Sequence, residues 1–140
     1  MLAANDLDSS TGRGSQTSQR HHEVPERPDY DNSSWGQMLK DQRLNDASSK
    51  EAKLFRRRFR LPYIMFRYIV SECRRYHLFP ESERDMDIAG RRSIPLELKI
   101  LGVLRIIGRN WCLDDVCEAS IISERTMSRF FHEFCAPFLE

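Results

Sequence analysis

The strongest constraint in this sequence is a short run in its second half, Leu96-Glu97-Leu98-Lys99-Ile100-Leu101-Gly102-Val103-Leu104-Arg105-Ile106-Ile107. Leu96, Ile100, Val103, Leu104 and Ile107 recur at helical spacing, and Leu98, Leu101 and Ile106 widen that stripe beyond a single face. A helix this apolar must be covered on most sides. The chain therefore has to supply further amphipathic segments to surround it. Ser93-Ile94-Pro95 supplies the helix start and Gly108 the expected end. No clean alternating run and no hairpin dipeptide lies between apolar segments, so the covering elements are expected to be helices as well. The fold class that follows is all-α, a compact helical domain.

Candidate partners for that central helix precede and follow it. Residues 1–33, centred on TGRGSQTSQRHH, are rich in Ser, Asp, Asn, Arg, Gln and Gly, without apolar periodicity. Such a segment buries too little to offset its ordering entropy and is expected to be a disordered polar leader. Residues 34–49 read as a short helix around Trp35, Met38 and Leu39, capped by Ser33 or Ser34, followed by a linker. The helical domain is expected over 50–140. Within it, Leu54, Phe55 and Phe59 make one apolar edge, and Leu61-Pro62 breaks the run. A helix beginning at Pro62 then carries Phe66, Ile69, Val70 and Cys73 inward, with Arg67, Ser71, Arg74 and Arg75 opposite. Residues 79–92 read as a polar loop.

The last forty residues carry the most specific pattern. Leu113 to Ser120 reads as a short helix with acids in its first turn, where the helix dipole favours them. Ile121-Ile122 forms an apolar turn, and Ser123 caps a last helix from Glu124 to Cys135. Short helix, tight turn and second helix make a helix-turn-helix-like arrangement. Met127, Phe130, Phe131, Phe134 and Phe138 are expected against the central helix. Arg125, Ser128, Arg129 and His132 recur on the opposite side, and such residues suit base edges and phosphates. The position where such turns often have Gly is Ile121.

Charge refines this. The whole chain balances 22 Lys and Arg against 21 Asp and Glu. Residues 53–75 nevertheless hold Lys53, Arg56, Arg57, Arg58, Arg60, Arg67, Arg74 and Arg75 against Glu72 alone. A block of that kind suits phosphate contact with DNA, and it equally suits a solvated helix face or docking on an acidic neighbour domain. No stretch approaches the roughly 20 apolar residues of a membrane-spanning helix, and the N-terminus lacks a signal-peptide pattern. Four Cys without dense spacing read as reduced thiols. Cys112, Cys117, His132 and Cys135 admit a zinc site on paper, but a five-residue step turns the two Cys roughly 140° apart on a helix. Asp114, Asp115 and Glu118 read as a helix-start cluster rather than a Mg²⁺ site. Neither cofactor, metal nor small-molecule substrate is expected.

These residues together resemble the N-terminal helical part of PIF/Harbinger-class transposases, whose relatives include plant transposon proteins and Harbinger transposase-derived nucleases. The resemblance runs from Ser34-Trp35 through Lys53-Leu54-Phe55-Arg56-Arg57-Arg58-Phe59-Arg60-Leu61-Pro62 and the segment Phe66 to Val70. It continues through Asp87-Ile88-Ala89-Gly90-Arg91, Ser93-Ile94-Pro95-Leu96-Glu97-Leu98-Lys99, Leu104 to Gly108, and Ile122-Ser123-Glu124-Arg125-Thr126 followed by Phe130. It implies a nuclear role in placing double-stranded DNA for an RNase H-like nuclease domain with a DDE metal triad. The catalytic domain would begin only where this sequence stops, at Glu140, so no nuclease activity is expected from these residues alone. Arg125, Ser128, Arg129 and His132 would face bases or backbone. Arg56, Arg57, Arg58, Arg60, Arg67, Arg74 and Arg75 would hold phosphates. The alternative is a protein-interaction or scaffolding domain that docks a nuclease or a Myb-like partner.

Overall fold

The computed structural model describes residues 28–138. Most of the leader expected at 1–33 therefore lies outside the described residues. Six α-helices follow one another: α1 (Ser34–Leu39), α2 (Lys50–Phe59), α3 (Tyr63–Arg75), α4 (Leu96–Arg109), α5 (Leu113–Ser120) and α6 (Glu124–Cys135). Short 3-10 turns lie at Tyr30–Asn32, Gln42–Asn45, Pro80–Ser82 and Ala136–Phe138. Among the described residues the only β pairing is an isolated bridge between Met86 and Arg92. The domain is all-α, with a helix-turn-helix-like part at its C-terminal end. No described helix is long and apolar enough to cross a membrane.

The wide apolar stripe of α4 does what its sequence demands. Ile100, Leu101 and Val103 have no exposed surface, Leu96 and Leu98 almost none, and α2, α3, α5 and α6 all pack on this helix. Burying five such side chains contributes on the order of 10 kcal/mol of hydrophobic free energy before entropy is counted. Gly102 marks the closest approach. A methyl group there would come within 2.6 Å of the Met127 sulfur and 3.0 Å of Val116 Cγ1, so α5 and α6 both press on α4 at this point.

Two details of α4 depart from expectation. Gly108 lies inside the helix, and Asn110 ends it in the left-handed conformation at φ 53°. Asn reaches this region more readily than other non-glycine residues, because its short amide bonds locally to the backbone. Ile107, expected in the buried stripe, is 61% exposed. The neighbouring helices cover the first turns of α4 and leave its last turn open on that side.

The segment before α2 is built into the same core. Tyr30 and Ser33 belong to it rather than to the end of a leader, and Tyr30, Trp35 and Leu44 are all buried. Ser33 is the pivot: its Oγ accepts the Gly36 N–H at 3.0 Å and donates to the Tyr30 carbonyl at 2.6 Å. Trp35 meets Phe59 edge-on at 5.5 Å and stacks on Trp111 at 6.4 Å, joining the N-terminal segment to both halves of the domain. Arg92 holds Asp31 at 2.8 Å, and this bond keeps the Asp31 carboxyl below its ordinary range. Ser49 caps α2 by accepting the Ala52 N–H. Arg60, left-handed at φ 64°, closes that helix before the Leu61-Pro62 break. Pro62 then opens α3. Phe66, Val70 and Cys73 point inward as expected, with Ile69 half-buried.

The 79–92 loop is pinned at its start. Phe79 packs on Phe130 and Phe134 at 4.7 and 6.1 Å. The buried Lys99 donates to Ser82 Oγ at 2.9 Å and lies over the Phe130 ring. Its charge reaches the loop while its stem stays in the core, as long cationic side chains allow.

The two buried glycines should respond differently to alanine. A methyl on Gly36 would strike backbone, the carbonyl oxygens of Tyr30 and Asp31. Gly36→Ala is expected to lower stability in urea unfolding by about 3 kcal/mol, the upper end for overpacking. Gly102→Ala meets chiefly the flexible end of Met127. There the gain of about 1 kcal/mol in helix propensity offsets most of the strain, leaving a loss below ~1 kcal/mol.

Candidate nucleic-acid interface

The C-terminal unit is α5, a three-residue turn at 121–123, and α6. Its local chemistry explains each boundary. Asp114 and Asp115 lie in the first turn of α5, where carboxylates suit the dipole. Ser120 is completely buried, its Oγ donating to the Val116 carbonyl at 2.7 Å and accepting the Ile122 N–H at 3.2 Å. Ile121 takes the left-handed conformation at φ 63°, the one glycine would supply, and its N–H caps α5 at Cys117. Ile122 then turns inward with 1% exposure. Ser123 caps α6 through the Thr126 N–H. The turn thus forms without glycine, with a β-branched residue held in a costly backbone region by the buried residues on either side.

The inner face of α6 is fixed by Met127 and Phe130, both buried, with Phe131 and Phe134 packed alongside. The expected contact of Phe138 lies outside the described side chains. Opposite them, Arg125, Arg129 and His132 are exposed and Ser128 is half-buried. Arg129 has two distant acidic neighbours, Glu81 and Glu133, each at 3.8 Å. Such exposed pairs are worth little and yield readily to a stronger anion.

The basic block divides into two groups. Arg67 and Arg74 on α3 both face Glu97 in the first turn of α4, at 3.7 and 2.7 Å, and Arg75 pairs with Glu72 at 3.6 Å. Arg56, Arg57, Arg58 and Arg60, at the end of α2, are exposed. Among the described residues none of these four has a carboxylate within ion-pairing distance. The α3 arginines would have to exchange a carboxylate for a phosphate. The α2 arginines would not. This distinction was invisible in the sequence, because Glu97 lies more than twenty residues from its partners.

Arg105 was also missed. It is 7% exposed, its Nη1 donating to the Arg58 carbonyl at 2.6 Å and its guanidinium stacked 3.4 Å from the Trp111 ring centre. The sole hint was an arginine within an otherwise apolar turn.

All four cysteines are free. Burial pushes the Cys73 thiol up, and burial together with the charges of Glu124 and Asp114 pushes up that of Cys117. Both stay protonated near neutral pH and are poor nucleophiles. Cys112 contacts Asp115 at 3.1 Å, and among the described residues no three His, Cys, Asp or Glu gather as a metal site.

The turn offers a direct check in urea unfolding. Ile121→Gly is expected to change stability by less than ~1 kcal/mol, since relief of left-handed strain offsets the lost apolar contact. Ile122→Ala, one residue on, should cost about 2–4 kcal/mol because it empties a buried site. Ser123→Ala should cost about 1 kcal/mol through the lost cap. Equal effects at 121 and 122 would contradict the backbone assignment of the turn.

No protein-family model, no curated protein and no solved structure matches the chain.

Proposed function

We propose that this protein is a DNA-binding helical module of a Harbinger-type transposase-like protein. In this reading α6 presents Arg125, Ser128, Arg129 and His132 to base edges or the adjoining backbone, and the end of α2 grips phosphates. The observation that carries it is the helix-turn-helix whose second helix is locked inward by Met127 and Phe130 and outwardly presents two arginines and a histidine. A recognition helix needs that combination, a rigid inner face and a polar outer one that reaches into the major groove. The α2 arginines, without an ion-pairing carboxylate among the described residues, add sequence-independent affinity. The module would act in the nucleus and position DNA, and no strand-cleaving chemistry is assigned to its own residues.

A second reading, a docking domain for a nuclease or Myb-like partner, is favoured by α3. Ile64, Met65 and Tyr68 are 75, 47 and 57% exposed on that helix, beside Arg67 and Arg75. Aromatic and apolar residues ringed by arginine are common at protein interfaces.

Titration of the full chain with a randomised pool of duplexes, at several salt concentrations, separates the two. On the DNA reading, the double change Arg125→Ala and Arg129→Ala flattens sequence preference more than it lowers affinity. Replacing Arg56 and Arg57 by Gln leaves preference intact and makes the salt dependence shallower by about 0.9 per lost phosphate contact. Absence of binding at low salt would refute the DNA reading and leave the docking one.

A further inference from the structure

The core brings the C-terminal ends of α2 and α4 together, and both ends are cationic. Arg105 lies between them, nine-tenths buried. It ties the last turn of α2 through the Arg58 carbonyl and rests against the faces of Trp111 and, at 5.7 Å, Phe59. Its Nε is buried without a hydrogen-bond partner. Arg60 lays its stem over Gly108, where an added methyl would meet Arg60 Cγ at 3.1 Å. Arg109 occupies the final turn of α4.

Among the described residues, none of Arg58, Arg60, Arg105 and Arg109 has a carboxylate within ion-pairing distance. Burial, then repulsion from Arg109 and Arg58, draws the Arg105 pKa down, and the charge of Asp115 opposes this. The helix dipole accounts for one arginine at each helix end. It does not account for two such ends converging on a third, buried cation. That arrangement carries a repulsion which a bound anion removes.

We propose that Arg58, Arg60 and Arg109, arranged around buried Arg105, form a phosphate-binding site for the backbone of duplex DNA. Arg105 is the positioning residue: it fixes the α2 end, which carries Arg58 and Arg60, against the α4 end, which carries Arg109. Planar guanidiniums suit phosphate oxygens because each offers two parallel N–H donors. The site deepens the DNA-binding reading and rests on it for its ligand. It also adds Arg109, which belongs neither to the basic block of 53–75 nor to α6.

The test uses Arg109→Gln in the full chain, with Arg84→Gln, an exposed loop arginine, as the control for net charge. Duplex affinity is measured across a salt series, and the Trp111 indole N–H resonance is followed, because that ring touches Arg105. Expected are a salt dependence shallower by about 0.9 for Arg109→Gln and unchanged for Arg84→Gln. A duplex-induced shift of the Trp111 resonance should accompany binding and shrink in Arg109→Gln. If duplex binds but Arg109→Gln matches wild type in both readouts, the site is overturned while the DNA reading stands. If no duplex binds at low salt, the DNA reading fails. Tripolyphosphate then decides the site: a Trp111 shift lost in Arg109→Gln supports phosphate binding with a free polyphosphate as its source, and no shift overturns it.

Discussion

The structure depends on one constraint, the need to hide α4 on nearly every side. A helix with Ile100, Leu101 and Val103 wholly buried cannot stand at a surface, so α2, α3, α5 and α6 are arranged around it. Close approach is possible because Gly102 removes a side chain where Met127 and Val116 arrive. That packing sets the inner faces of α5 and α6. Once Met127 and Phe130 are committed inward, Arg125, Arg129 and His132 have only the solvent side left. The polar face proposed to meet DNA is a consequence of the core and not an independent feature.

The second organising element is aromatic. Trp35, Phe59 and Trp111 come from three separate parts of the chain and meet beside Arg105. Delocalised and weakly hydrated, a guanidinium can lie flat on an indole with less desolvation loss than an ammonium. One buried arginine thereby joins the end of α2 to Trp111, and Trp35 ties the N-terminal segment to the same two rings. The same contacts hold the end of α2 against α4.

The bounds of α5 and α6 were legible because local signals agreed: acids in the first turn of α5, Ser123 as a cap, and Phe and Met at helical spacing. Pro62 likewise announced α3. Gly108 misled because its backbone freedom resembles a stop signal, while the residue that ends α4 is Asn110. Tyr30 and Leu44 were assigned to leader and linker because isolated apolar residues in polar surroundings carry no periodicity. The Leu44 turn is covered where it packs on α2 and α3, and the Tyr30 turn where it packs on α1, contacts that no local pattern announces. For the candidate site, the α6 face was legible from spacing, whereas Arg105 and Arg109 were not.

By itself the sequence determined an all-α chain, the central helix, the helix-turn-helix boundaries and a cationic stretch at 53–75, because each follows from periodicity, capping or composition within a short window. Tertiary structure alone decided which cations find a carboxylate among the described residues. Glu97 takes Arg67 and Arg74, while the ends of α2 and α4 converge with no carboxylate of the described residues within ion-pairing distance of Arg58, Arg60 or Arg109. Pairing of charges depends on distances of a few ångströms between residues far apart in the chain, and only the packed core sets those distances.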